Sequence, residues 1–459
     1  MATQFNEKDR QKQMILTENL WKVMFRLSWP AVIAMLLYGL NSVFDAIFVG
    51  RFVGETALAG VSLAYPLSQI TLGIGSLIGV GAGSALSIAL GANDVKTQKK
   101  LMANVNYLSI LITIVYMIGG WFLAETLVKV MGGTGEPMEL GKAYFQITVL
   151  GSLFWIHGLA GNMIVRAEGK MKSAAIMMGV GLVVNIIANY ILIVILDMGV
   201  VGAAWGTNLG MLVYTVSGLV YFVKGSASFE AHPFRVSRDK NIIRSIISMG
   251  IPSFIMTVMN LVQAVVVFNA LSRYGTTYDL AFYGAVYRIF TLLLTPIFGF
   301  MRALQPVVGI NYGAQRNERV IKGFKVFAIS SVLLMLPFWL IMMFSPQTVL
   351  GFMFPNKIFD GASLFNFRIY MAVLPILPIV FMSMTFFPAI DKGKIAAIMG
   401  IARQLVFFVP VMLILPRLYG VKWVYLGTLC IDIIITIWMF ISVKKEFNRL
   451  RRGGLHESK

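Results

Sequence analysis

The stretch LSWPAVIAMLLYGLNSVFDAIFV, residues 27–49, is almost entirely apolar and carries a single acidic residue, Asp45. At a rise of about 1.5 Å per residue, it is long enough to cross the hydrocarbon core of a bilayer. Asn41 and Tyr38 precede Asp45 by four and seven residues, so the three side chains share one helical face. A carboxylate inside a span is costly and usually faces a protein cavity, which makes Asp45 the leading candidate for a functional centre.

The composition of the 459 residues predicts an all-α membrane protein. Hydrophobic residues make up 58% of the chain and charged residues 13%, against about a quarter charged in soluble domains. Apolar runs of about 18 residues or more recur along the sequence, as expected of a protein that crosses the bilayer many times. The net charge of +19 lies in short loops and at the two ends, where membrane topology concentrates lysine and arginine, so we expect no nucleic-acid partner.

Further features restrict the class. The lone Cys430 excludes an internal disulfide and any multi-cysteine metal site. The first 20 residues are polar and lack the apolar core of a signal peptide, so we expect no cleaved leader. Glycines recur between Gly73 and Gly83, but they lie inside an apolar run without a Walker lysine and favour close helix packing. Without an ATP-binding, nucleophile-elbow or zinc motif, we expect a protein that is not an enzyme and whose transport draws on an ion gradient.

Twelve membrane spans are predicted. Lysine and arginine cluster before the first span, after the even-numbered spans and in the tail, while the alternate loops carry few or balanced charges. By the positive-inside rule, we expect a multi-pass protein of the cell membrane with both termini in the cytoplasm. In chain order the predicted spans are 27–49, 58–90, 103–124, 143–165, 173–196, 201–223, 245–272, 280–310, 326–351, 366–390, 395–415 and 423–443.

The sequence is internally duplicated. Adding 222 to a position in the first half repeatedly gives a matching residue, as for Pro30 with Pro252 and Gly91 with Gly313. Six spans per half give parallel repeats, with a central cavity between two six-helix bundles that alternates access by rocking. The predicted segments are a cytoplasmic N-terminal segment 1–26, an N-lobe 27–223, a cytoplasmic inter-lobe linker 224–244, a C-lobe 245–443 and a basic cytoplasmic tail 444–459.

Asp45 has candidate partners on spans 5 and 6. Counted from the outer ends of their spans, Asp45, Asn189 and Thr207 lie about 6–11 Å deep, and Asn185 shares a helix face with Asn189. A carboxylate, amide oxygens and a hydroxyl suit a small cation, or hydrogen bonding to a protonated carboxyl. The alternative is a set of interhelical hydrogen bonds that only hold the helices together. We interpret Asp45 as functional and keep both interpretations for the amides and the hydroxyl.

Asp432 in span 12 is the other acidic residue well inside a span. It is either a second proton or substrate site or the partner of a buried arginine. Arg288, Arg302 and Arg403 are the candidates for that pairing, although Arg403 follows a basic turn closely enough to extend to the interface instead.

Two more polar residues are candidates for secondary sites. His157 in span 4 is either a proton shuttle or a hydrogen-bond donor in helix packing. Tyr38 lies on the Asp45 face and is a candidate for the substrate cavity. The 28 methionines suit an adaptable apolar cavity, although most of them are expected to face lipid or to pack between helices.

Five segments form a specific combination: NSVFDAIFVGRFVGETALAGVSLAYP at 41–66, ALGANDVKTQKK at 89–100, NIIANYILIVILDMGVVGAAWGT at 185–207, IFGFMRALQPVVGINYGAQRNERV at 297–320 and RQLVFFVPVMLILP at 403–416. Together they resemble the multidrug and toxic compound extrusion (MATE) family, particularly its bacterial multidrug exporters. The similarity runs over essentially the whole chain. Any one of the segments alone is a weak signal.

The resemblance implies twelve helices in two lobes that form a V, and export of amphipathic organic cations or related drugs by antiport against sodium ions or protons. It also implies a cation site in the N-lobe at the positions of Asp45, Asn185, Asn189 and Thr207. Asn189 stands where the family usually has aspartate, which should weaken cation binding or leave Asp45 to titrate alone. Some relatives have acidic residues in spans 7 and 10, which these spans lack here, so a C-lobe coupling site of that kind is not expected.

The leading prediction is a monomeric secondary drug exporter in the lipid bilayer, with amphipathic small-molecule substrates, no cofactor and Na⁺ as a candidate coupling ion at Asp45. The alternative is a flippase for a lipid-linked or amphipathic metabolite, for which Arg288, Arg302 and Arg403 could line the cavity. A third class is a non-transporting receptor or scaffold, which predicts no gradient-dependent flux. At an offset of 222 the equivalent of Asp45 is Val267, so coupling is expected in the N-lobe alone.

Overall fold

The computed structural model describes residues 10–351 and 358–456, and every regular element within them is helical. Ten helices in this part are long and apolar enough to cross a membrane, and one bent pair makes an eleventh. Large apolar side chains point outward from them, with Phe122 79% and Phe344 78% exposed. Such side chains are accommodated by hydrocarbon and not by water, so the chain is a multi-pass membrane protein. Residues 1–9 of the predicted segment 1–26 and residues 457–459 of the predicted tail lie outside the described residues.

The structure extends most of the predicted spans beyond the hydrocarbon thickness and adds a short helix, Arg10–Thr17, before them. Several helices begin at a capping side chain; for example, Asp94 accepts a hydrogen bond from Thr97 N at 3.0 Å. Under the predicted span numbers, the observed bounds are span 1 Leu20–Val53, span 2 Glu55–Gly91, span 3 Val95–Val130, span 4 Gly135–Leu150 with Ser152–Ala167, span 5 Met171–Ile195, span 6 Gly199–Val223, span 7 Lys240–Tyr274, span 8 Thr277–Gly313, span 9 Asn317–Phe344 followed by the short helix Pro346–Gly351, span 10 Gly361–Met371 with Leu377–Ala389, span 11 Gly393–Tyr419 and span 12 Lys422–His456.

Two of the predicted spans are interrupted. Span 4 bends by 53° between its two helices, at Gly151, where a Cβ atom would lie 2.1 Å from Asn208 Oδ1. Span 10, predicted as one segment at 366–390, consists of two short helices joined by a turn at 372–376. Pro375 lies in that turn, and proline neither donates a backbone hydrogen bond nor tolerates the carbonyl of the preceding turn.

The two repeats meet at a pseudo-twofold contact between spans 2 and 8. A Cβ atom at Gly91 would lie 2.1 Å from Ile310 O, and one at Gly313 would lie 2.0 Å from Ile88 O. The offset of 222 relates Ile88 to Ile310 and Gly91 to Gly313. The contact of Gly91 with Ile310 is therefore repeated by the equivalent residues, Gly313 and Ile88, as expected at a twofold axis. Backbones approach this closely only because both positions are glycine.

The N-terminal helix Arg10–Thr17 crosses the junction of the two lobes. In the C-lobe, Arg319 Nε donates to Ile15 O at 3.0 Å and Arg316 Nη1 donates to Leu16 O at 2.6 Å. In the N-lobe, Lys12 Nζ donates to Asn93 Oδ1 at 2.5 Å. The C-terminal helix reaches the same face, because Asn317 Nδ2 donates to Leu450 O at 3.0 Å. We call this side of the molecule, which holds both ends of the described chain, the terminal face.

Candidate functional site

Asp45 lies at the centre of a hydrogen-bonded cluster built from spans 1, 5 and 6. Its Oδ1 accepts from Asn189 Nδ2 at 2.6 Å, and its Oδ2 accepts from Asn41 Nδ2 at 3.3 Å and from Thr207 Oγ1 at 3.4 Å. Asn185 joins the cluster through its Oδ1, which lies 3.5 Å from Asn189 Nδ2. The matched depths in the sequence thus correspond to direct contacts, while the coupling role of these residues stays a prediction.

Tight helix packing encloses the cluster. Asn185, Asn189 and Thr207 are buried, and Asp45 is half-buried. A Cβ atom at Gly206 would lie 2.0 Å from Asn189 Oδ1, so only glycine leaves room for that amide. Within the described residues, Asn189 Oδ1 and Asn185 Nδ2 are buried and accept or donate no hydrogen bond. Because an unpaired buried polar atom is costly, the site has spare capacity to bind a ligand.

Backbone irregularities adjoin these polar residues. Span 1 becomes a π-helix at Val49–Val53, shortly after Asp45, and span 5 does so at Tyr190–Ile195, directly after Asn189. Span 11 contains a third π-helix at Ala402–Phe408. Such wider turns are rare and are frequent at functional sites. The apolar pattern of the sequence carries no signal for them, because α and π turns present similar apolar faces.

A cavity of about 250 Å³ opens beside Asp45. Tyr38 and Asn41 line this cavity, as expected from the helical face that they share with Asp45. Sequence reasoning missed most of its other polar and aromatic residues. The spacing of Ser62, Tyr65 and Gln69 along one face of span 2 could have revealed three of them. The remaining lining residues are Ala46, Leu58, Val61, Ser68, Tyr144, Trp155, Thr207 and Met211.

Asp432 is paired with Arg403 in the C-lobe. Its Oδ1 accepts from Arg403 Nε at 2.9 Å and from Nη2 at 2.7 Å. Arg403 Nη1 donates to Gln263 Oε1 at 3.3 Å and to Gln404 Oε1 at 3.2 Å. The pair lies in the wall of a second cavity of about 150 Å³ together with Tyr287. Of the two interpretations of Asp432, the geometry favours the arginine partner, and Arg403 points to that partner rather than to the interface.

The other candidates lie away from Asp45. His157 Nε2 is 2.9 Å from Oδ1 of Asn106, whose Nδ2 in turn donates to Pro233 O and Arg235 O in the inter-lobe linker. This arrangement matches a packing hydrogen bond between span 3, span 4 and the linker. Arg288 is exposed, and in the described part of the chain it makes no hydrogen bond or ion pair.

The donor set at Asp45 fits a monovalent cation better than a divalent one. Asp45 is the only carboxylate in the cluster, and the described residues contain no group of three or more His, Cys, Asp or Glu side chains that could hold a metal ion. The orientation of an asparagine amide is assigned from its hydrogen bonds, and rotation of Asn189 by a half-turn would direct its unpaired Oδ1 towards Asp45. Asp45, Asn189 Oδ1 and Thr207 Oγ1 would then supply hard oxygen ligands.

A sequence profile of the MatE family matches this chain twice, over residues 30–191 and 252–414. Each match falls in one of the two predicted lobes.

Several curated and solved proteins are similar over nearly the whole chain. The multidrug export protein MepA of Staphylococcus saprophyticus is 25% identical over 96% of this chain and 98% of its own, and MepA of Staphylococcus aureus strain N315 is 26% identical over 91% and 92%. A crystal structure of MATE in the bent conformation superposes with a TM-score of 0.90 at 25% identity, covering 96% of this chain and 98% of its own. A multidrug resistance MATE family transporter of the MOP superfamily in its outward-facing conformation gives 0.88 at 26% identity over the same shares.

Proposed function

The chain belongs to the MatE family, and we propose that it is a secondary active transporter that exports amphipathic or cationic small molecules by antiport with Na⁺ or H⁺. The relatives named as multidrug export proteins support this assignment of substrate class. The proposal places the protein in the cell membrane with the terminal face in the cytoplasm, because that face carries the basic loops.

One observation carries the coupling proposal: Asp45 is the only carboxylate in a buried polar cluster and lies in the wall of a cavity of about 250 Å³. Exchange needs a group whose occupancy by ion and by substrate is mutually exclusive. A single carboxylate can do this, because an ion or proton bound at Asp45 removes the charge that would attract a cationic substrate. Asn189, Thr207 and Asn41 hold the carboxylate in place and share its charge.

The packing of the two lobes supports alternating access. On the terminal face the lobes are in backbone contact at Gly91 and Gly313, while the Asp45 cavity lies towards the opposite end of span 1. In this conformation the cluster is separated from the terminal face by the sealed part of spans 2 and 8. Rocking of the lobes about the pseudo-twofold contact would open the cavity to the terminal face instead.

The flippase alternative has less support. A lipid-linked phosphate would call for several unpaired cationic groups in one cavity. Arg403 is neutralised by Asp432, and Arg288 lines none of the cavities described above. Of the three arginines considered for this role, only Arg302 is left, half-buried and without an ion pair among the described side chains.

The test is dye efflux from vesicles in which sodium and proton gradients are imposed separately. Asp45→Asn, compared with the unchanged chain at matched expression, is expected to lose ion-driven efflux under both gradients, because a neutral amide takes up no proton and lacks the negative charge that would hold Na⁺. The gradient that drives efflux by the unchanged chain identifies the coupling ion.

Asp197→Asn is the matched control. Asp197 lies in the turn after span 5 with a φ of 49°, a conformation that asparagine adopts readily. The Asp197→Asn variant should therefore transport normally. Undiminished gradient-driven efflux by Asp45→Asn would refute the coupling role.

A further inference from the structure

A cavity of about 1090 Å³ opens on the terminal face of the C-lobe. It lies between the start of span 7, the turn before span 11 and the end of span 12, to which Arg244, Lys394 and Arg449 belong. Spans 7 and 11 are packed together beside it, because a Cβ atom at Gly393 would overlap Ser248 O. All three walls belong to one lobe, so the cavity does not require a particular arrangement of the two lobes.

Positive charge predominates in this cavity. Six cationic and two acidic side chains line it, which leaves an excess of four positive charges. Lys392 forms an ion pair with Glu446, and the other five cations form none within residues 10–351 and 358–456. A bound anion would relieve the mutual repulsion of these like charges. The six cations are Arg244, Lys392, Lys394, Lys445, Arg449 and Arg452.

The side chains of the cavity are of the types that bind phosphate. Guanidinium groups form paired hydrogen bonds with phosphate oxygens, and ammonium groups supply point charges. Asn241, Ser245 and Ser248 of span 7 add an amide and two hydroxyl groups to the same lining. Four surplus charges exceed the single charge of one phosphodiester, and the volume equals that of a pocket for a whole organic ligand. The cavity therefore suits a ligand with two phosphate groups.

The chain itself fills the equivalent place in the N-lobe. The offset of 222 relates Lys170 to Lys392, and Lys170 Nζ donates to Ser226 O of the inter-lobe linker. The N-terminal helix covers the same turn, since a Cβ atom at Gly169 would lie 3.0 Å from Ile15 Cδ1. Among the described residues, no segment crosses the C-lobe cavity in the same way, so there the space is open to a ligand.

Lipid-facing apolar side chains begin one turn from the cavity. On span 11, Ile398 follows Lys394 by four residues and is 59% exposed. On span 12, Ile441 precedes Lys445 by four residues and is 58% exposed. Residues four apart share a helical face, so each lysine lies at the end of an apolar surface that hydrocarbon covers. A lipid with its phosphates in the cavity can therefore lay its acyl chains along these two spans.

We propose that this cavity binds phosphate groups, and that their source is an anionic phospholipid with two of them, such as cardiolipin. Basic pockets between transmembrane helices, at the level of the lipid head groups, are suited to such lipids. The phosphates neutralise Lys394, Lys445 and Arg449 while the acyl chains cover the apolar surfaces of spans 11 and 12. The site lies apart from Asp45 and does not depend on the coupling role proposed for that residue.

The test measures lipid binding to the purified full-length chain by native mass spectrometry. Cardiolipin and phosphatidylcholine with the same acyl chains are titrated in one detergent, and cardiolipin should bind more tightly by about tenfold or more. Lys394→Gln combined with Lys445→Gln should weaken cardiolipin binding by about 10–30-fold, because two of the charges that attract it are lost. Both lysines are exposed, so the fold should tolerate the change.

Lys96→Gln combined with Lys322→Gln is the matched control. It removes two exposed lysines of the terminal face that do not line the cavity, and it should bind cardiolipin as the unchanged chain does. Equal affinity for the two lipids, or an equal loss of cardiolipin binding in this control, overturns the proposal.

Inorganic pyrophosphate, titrated by calorimetry at constant ionic strength, distinguishes a soluble source from a lipid. With a lipid source, pyrophosphate should bind far more weakly than cardiolipin, because it gains nothing from the apolar surfaces of spans 11 and 12. Pyrophosphate binding that the Lys394→Gln, Lys445→Gln protein loses, together with no preference for cardiolipin, would keep the phosphate site and overturn its lipid source.

Discussion

Asn189 and Thr207 donate hydrogen bonds to Asp45 from two neighbouring helices. Both could be predicted as its neighbours, because polar residues are rare in apolar spans and helix pitch fixes their depth. Tyr144 and Trp155 of the same cavity were not found. Aromatic residues occur throughout apolar spans, so neither their type nor their spacing distinguishes a cavity wall from a lipid-facing surface.

Gly206→Ala is expected to inactivate transport without a change at Asp45. The added methyl group would lie 2.0 Å from Asn189 Oδ1, which must displace the amide from the carboxylate at a cost of about 1–3 kcal/mol. Gradient-driven dye efflux should fall to the level of Asp45→Asn.

Gly218→Ala in the same helix is the control, because no atom lies within 4 Å of its Cβ position. Normal efflux by Gly206→Ala would show that the Asn189 contact is dispensable.

Glu168 predicts a pH dependence of stability. It lies outside the spans, and burial raises the pKa of its carboxyl above the usual 4.5. The folded state therefore binds a proton more tightly than the unfolded chain does, and stability decreases as pH rises from about 4.5 through the raised pKa.

Glu168→Gln removes this titration and should raise the melting temperature at neutral pH, with the two proteins converging below pH 4.5. Melting curves of both proteins at several pH values measure this difference in melting temperature. A constant difference across the pH range would contradict it.

Among the helices, long and strongly apolar segments could be located from the sequence, but their interruptions could not. Span 10 is interrupted at the turn that contains Pro375. A proline in the sequence does not by itself predict such a break, because Pro30 lies within the continuous helix of span 1. The π-helices likewise depend on tertiary packing. Sequence periodicity measures which face is apolar, and an extra residue in one turn alters that pattern too little to be recognised.

The Arg403–Asp432 pair fastens span 11 to span 12. Replacing either partner alone, as in Arg403→Met or Asp432→Leu, is expected to destabilise the fold by about 3–5 kcal/mol, because an uncompensated buried charge remains. The double variant should recover most of that loss. Unfolding in denaturant measures the three free energies.

Arg417→Met, at an exposed arginine, should have little effect. If the double variant were as unstable as the single ones, the pair itself would have to contribute more than an apolar replacement can.

In the whole molecule, the duplication was visible in the sequence as a constant offset, but the contact between the repeats was not. The offset relates Gly91 to Gly313, but it does not show that Gly91 lies against Ile310 and Gly313 against Ile88. That information requires the position of the pseudo-twofold axis, which depends on how two complete bundles pack.

Gly313→Ala should shift the protein towards an open terminal face. A Cβ atom at this position overlaps Ile88 O at 2.0 Å, so spans 2 and 8 must separate. Spin labels are attached at Lys96→Cys and Lys322→Cys in a Cys430→Ser background. Pulsed electron paramagnetic resonance should then report a longer inter-lobe distance than in the same labelled protein with Gly313.

Gly284→Ala is the control in the same span, since nothing lies within 4 Å of its Cβ position. An unchanged distance distribution in Gly313→Ala would mean that the lobes do not seal at this contact.

The N-terminal helix has a consequence for biosynthesis. The carbonyl groups of Ile15 and Leu16 are bound by Arg319 and Arg316, about 300 residues later in the chain. At about 5–20 residues per second, the ribosome needs about 15–60 s to make that stretch. During this interval Ile15 and Leu16 lack their docking site, which consists of Asn311 in span 8 and the two arginines that follow this span. The helix Arg10–Thr17, the first in the described part of the chain, is therefore among the last to be placed, and its docking marks a chain in which both halves have been inserted.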